Sequence, residues 1–80
     1  MATYFMLIKV FDDAEKVIYK FGPTEESLGE IEFDLVNEEF RQLERVPGTT
    51  KDHMFMKAAS AIARCYAEGD GFPDRTFFAS

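Results

Sequence analysis

One histidine and one cysteine, His53 and Cys65, are the chain's readiest candidates for a base and a nucleophile. Nucleophilic catalysis needs an activated Ser or Cys held against a base. The stretch between them reads as helix, which sets the two about 18 Å apart, too far for a dyad. Cys65 also falls near the end of that helix, where the macrodipole disfavours a thiolate. Metal sites draw on clustered Cys and His, typically as two close pairs, and this chain holds one of each. The carboxylates Asp12, Asp13 and Glu15 lack the calcium-loop pattern, and an acidic hairpin turn is ordinarily solvated. Glu68-Gly69-Asp70-Gly71 is too short for a calcium motif, and its glycines follow a helix instead of opening one, as a phosphate loop would. The expectation is no metal, no cofactor and no enzyme carrying its own catalytic machinery.

The remaining acidic pattern is the alternation of Glu30, Glu32 and Asp34 with Ile31, Phe33 and Leu35. General acid–base work needs a desolvated acid in a cleft, whereas strict period-two alternation gives one buried and one wet face. Sheet-based nucleic-acid readers display aromatics and basic residues, and here the expected open face is mostly carboxylate. Nine basic against fifteen acidic residues leave a net charge of −6. Phosphate backbones and anionic lipids repel such a surface, so direct nucleic-acid or membrane binding is disfavoured. Two readings of the charge stand: it keeps a small protein soluble, or it steers association with a basic partner.

Eighty residues, 46% of them apolar and nine of them Phe, suit a single domain over residues 1–80. A lone cysteine makes no internal disulfide, which points to a reducing compartment. The first residues carry no basic segment, the apolar run Tyr4 to Ile8 is too short for a signal core, and nothing approaches a membrane span. A cytoplasmic protein is expected.

Tyr4 to Phe11 reads as a strand with apolar residues on both alternating faces until Lys9. Glu15 to Phe21 is a second, stopped by Gly22-Pro23, and Leu28 to Val36 a third. Short connections make these an antiparallel meander with the second strand central, setting Lys16 and Lys20 beside Glu30, Glu32 and Asp34. Residues 38–46 read either as a short helix or as a fourth strand. The strand is favoured, because a two-turn helix stopped by Pro47 is marginal. Thr49-Thr50-Lys51-Asp52 has the form of a capping box, and Phe55, Ala59, Ile62 and Tyr66 recur at helical spacing up to Gly69. The fold class is α+β: a three- or four-stranded meander packed on one C-terminal helix, with an aromatic tail. That tail is expected to dock on the fold, since large aromatics are usually buried.

Three stretches, Lys20-Phe21-Gly22-Pro23-Thr24, Gly29-Glu30-Ile31-Glu32-Phe33-Asp34 and the tail from Gly71 to Ser80, together resemble small immunity proteins of bacterial polymorphic toxin systems, including contact-dependent growth inhibition. The resemblance implies a cytoplasmic protein that binds and blocks a cognate toxin domain, often a nuclease with a basic cleft. It carries over no contact residues. From the charge pattern, the expected partner-binding residues are Asp12, Asp13, Glu25, Glu26, Glu30, Glu32 and Asp34. The alternative is a generic interaction module or accessory subunit, contacting its partner through a strand edge or the phenylalanine tail. The chain is expected to be a monomer or a weak homodimer.

Overall fold

The structure, a computed structural model, describes residues 4–48, 53–69 and 71–79, without the side chains of Tyr4, Phe78 and Ala79. Strands β1 (Tyr4–Asp12), β2 (Lys16–Thr24), β3 (Ser27–Asp34) and β4 (Glu39–Glu44) precede helix α1 (His53–Glu68) and strand β5 (Arg75–Ala79). The five strands form one sheet in the order β4-β3-β2-β1-β5, every neighbour antiparallel. The meander is therefore as expected, with β2 central and residues 39–44 a strand. The tail is a fifth strand: it pairs with β1 from Tyr4↔Ala79 to Ile8↔Arg75.

Period two explains which side closes. Val17, Tyr19 and Phe21 on β2, and Ile31 and Phe33 on β3, face the helix with Phe5 and Leu7 of β1. Helix α1 meets them with Ala58, Ala61 and Ile62. The small alanines let the helix lie close to bulky strand residues, and Phe55 and Ala59 flank the contact only half-buried. The expected stripe thus sits partly to one side: Tyr66 stays 43% exposed. Its ring still stands edge-on to Phe33 at 5.2 Å, while Phe40 stacks on Phe33 at 4.4 Å.

Strand β2 does not end at Gly22-Pro23 but runs to Thr24. The pairing shifts between Phe21 and Thr24, and proline, with no N–H to give, is tolerated at such an irregularity. Gly29 is held for space: a Cβ there would come within 2.5 Å of the Glu44 carbonyl oxygen. At the helix end Gly69 takes a φ of 76°, the left-handed cap that glycine adopts at least cost. The proposed capping box at 49–52 lies outside the described residues. None of the described helices is long and apolar enough to cross a membrane.

Candidate functional site

In an antiparallel meander alternate turns fall at the same end of the sheet. The β1–β2 turn and the β3–β4 turn are neighbours here, tied by the Leu35 N–H donating to the Glu15 carbonyl at 2.8 Å. Each turn is shaped by its own aspartate. Asp13 Oδ1 accepts the N–H groups of Glu15 and Lys16, and Asp34 Oδ1 accepts those of Val36 and Asn37. The Asn37 side chain also donates to Asp34 Oδ2 at 2.9 Å. These bonds, with Asn37 first, hold the Asp34 carboxyl below its ordinary range.

A third segment is pinned to the same end. The ammonium of Lys9 donates to the Phe72 carbonyl at 3.0 Å and pairs with Asp12 at 3.1 Å and Asp74 at 3.2 Å. Hydrogen bonds to Asp12 and then Asp74 raise the Lys9 pKa. Tyr19 secures the segment from beneath, its hydroxyl donating to the Pro73 carbonyl at 2.5 Å, and burial pushes its pKa upward. Phe72 in turn stacks on Tyr66 in the last helical turn. That turn has no basic residue, so the negative end of the helix dipole is uncompensated by its own sequence.

The outcome is an acidic rim. Asp12, Asp13, Glu15, Asp34, Glu38, Glu39, Glu68 and Asp74 stand around one end of the molecule, eight of the thirteen acidic residues among those described. All but Asp34 are exposed. Lys9 and Lys16 share this end, and the side chain of Lys9 is only 18% exposed between its two aspartates.

The residues expected from sequence divide among three places. Asp12, Asp13 and Asp34 lie on the rim. Glu30 and Glu32 lie on the sheet face away from the helix, half-buried, with Glu30 opposite Lys20 and Glu44, and Glu32 3.7 Å from Arg41. Lys16 stands opposite Asp34, as the meander required. Glu25 and Glu26 sit in the β2–β3 turn at the other end, a nine-residue strand or about 30 Å from the rim. Glu25 there reaches Arg75 at 3.7 Å. The partner-binding residues expected from sequence leave out Glu15, Glu38, Glu39, Glu68 and Asp74, of which Glu15 and Glu68 are weighed from sequence only as calcium ligands. The meander itself signals the first three, because its first and third turns must share an end. Glu68 and Asp74 join only through the docking of the tail.

His53 opens the helix and Cys65 lies near its end. Burial raises the Cys65 thiol pKa, and its surroundings are a shallow recess of about 350 Å³ shared with Glu68, Gly71, Phe72, Pro73 and Thr76. Among the described residues no group of three or more His, Cys, Asp or Glu is placed to hold a metal ion.

No family model, curated protein or solved structure matches the chain.

Proposed function

We propose that this chain is a binding protein that engages a basic protein partner through the acidic rim and neutralises it, as an immunity protein neutralises its toxin. The observation carrying this reading is the convergence of residues 12–15, residues 34–39, and Glu68 with Asp74 on one end with an excess of negative charge. Such a concentration steers a basic cleft into register and raises the encounter rate. Exposed Val10 and Val36 lie among these carboxylates and offer the apolar contact that a tight interface needs. The partner of this reading is a toxin domain with a basic active-site cleft, and the site of action is the cytoplasm.

The test is co-expression with the toxin domain encoded beside the gene, scored by survival and by association rate. Reversal of Glu15, Glu38 and Glu39 to lysine touches no side-chain hydrogen bond described above. It should slow association at least tenfold at low salt and flatten its salt dependence, because charges separated by more than about 10 Å are screened. Wild-type protection and an unchanged association rate in the triple variant would remove the rim from the interface. An interaction module without a toxin partner remains the second reading, favoured by the apolar residues on the sheet's other face.

A further inference from the structure

The face of the sheet turned away from the helix is not uniformly polar. Read by register, β4 and β3 present Glu39, Arg41, Glu44, Glu30, Glu32 and Asp34 on it. Beyond them β2 presents Lys16, Ile18 and Lys20, β1 presents Met6, Ile8 and Phe11, and β5 presents Arg75 and Phe77. Phe11 is 43% and Phe77 52% exposed, and no element among the described residues covers this side. An antiparallel strand with one wet face alternates apolar and polar residues, as β3 does. Strand β1 instead carries Phe5 and Leu7 inward and Met6, Ile8 and Phe11 outward. That is the composition of a strand covered on both sides.

We infer that the second cover is another copy of this chain, packed face to face about a two-fold axis running along the strands between β1 and β2. The face is complementary to itself in that arrangement. The axis exchanges β2 with β1 and β3 with β5, so residues at one level meet across it. Phe11 and Ile18, level in the register, lie over their symmetry mates. Glu30, Lys20, Ile8 and Arg75 share the next level, which brings Glu30 of each copy to Arg75 of the other. Met6 faces the side-chain-free Gly22. Two twisted sheets pack this way about 10 Å apart and about 30° from alignment. The four strands that overlap, about 4.8 Å apart and about 20 Å long, offer a flat footprint of roughly 400 Å². Corrugation by side chains enlarges the accessible area, which suits the weak end of specific interfaces, below the ~800 Å² per partner of a standard one. Of the acidic rim only Asp34 and Glu39 reach this face, at its end beyond the Glu30 and Arg75 level, so self-association is read separately from the rim-mediated binding proposed above.

Sedimentation velocity on the purified chain across about 1–500 µM, the range of micromolar affinity, reads the answer. The expected result is a shift from 9.2 kDa to twice that mass with rising concentration. Phe11→Glu should weaken the dimer at least tenfold, while the rim variant Glu38→Lys leaves it unchanged. Glu30→Arg and Arg75→Glu should each be monomeric alone, yet dimerise when mixed, because the heterodimer restores both cross-axis pairs. That restoration separates a contact from a folding defect. A chain that stays monomeric throughout overturns the inference, as does a dimer indifferent to Phe11→Glu or singles that fail to complement.

Discussion

Strands β1 and β3 flank the same central strand and rest on the same helix, yet they treat their outer sides in opposite ways. Strand β3 sends Ile31 and Phe33 inward and Glu30, Glu32 and Asp34 outward, and its carboxylates meet lysines on β2 and arginine on β4. Strand β1 sends apolar side chains both ways. The inner halves of the two strands differ little, because the helix demands burial of both. The contrast lies outside, where charge on β3 satisfies itself within the sheet while the apolar residues of β1 remain unsatisfied there.

The strongest way to break that comparison is to attack the inner side. Phe33 is 3% exposed and touches the rings of Phe40, Tyr66 and Phe72. Phe33→Ala should cost about 3–5 kcal/mol, close to unfolding a domain this small, whereas Phe11→Ala on the outer side should cost under ~1 kcal/mol in the monomer. Urea denaturation of the two variants measures the difference, and equal losses would mean that the outer side is as closed as the inner. Gly29→Ala comes next. A methyl group 2.8 Å from the Val46 nitrogen and closer to the Glu44 oxygen must part β3 from β4, at about 1–3 kcal/mol. A variant as stable as the parent would show that β4 yields freely.

Smaller effects sharpen the picture of the rim. Tyr19→Phe removes the hydroxyl that holds the Pro73 carbonyl, a loss of about 0.5–1.5 kcal/mol. Amide exchange should rise at residues 72–76 while the β2–β3 pairing keeps its protection; uniform acceleration would deny the hydroxyl a local role. The least effect concerns Asp34. Its folded pKa is lowered, so its contribution is complete above the unfolded value near about 4 and fades as pH falls through the folded value. Stability measured from neutral to acid pH should therefore drop more steeply in the parent than in Asp34→Asn. Parallel curves would mean that the Asn37 and Val36 bonds do not discriminate between the charged and neutral carboxyl.

Much of this fold was legible because its rules are local. Alternation at Ile31 and Phe33 fixed the inner face of β3, short polar connections fixed an antiparallel order, and helical spacing up to Gly69 fixed the helix. Gly22-Pro23 misled, since a stop signal in an isolated strand becomes a tolerated irregularity once a partner strand shifts its pairing around it. The helix stripe was displaced for a similar reason: close approach to bulky strand residues selects Ala58 and Ala61 over larger neighbours. The rim was half legible, through turns that a meander must place together.

By itself, the order of residues determined which side of β2 and β3 is apolar and that the net charge is negative, because alternation and charge belong to neighbours along the chain. Tertiary structure decided where that charge collects and that the tail is a strand. Those outcomes depend on contacts such as Lys9 with Asp74, sixty-odd positions apart, which no local pattern announces. Closing so long a loop is offset only by the whole sheet edge and aromatic cluster forming together.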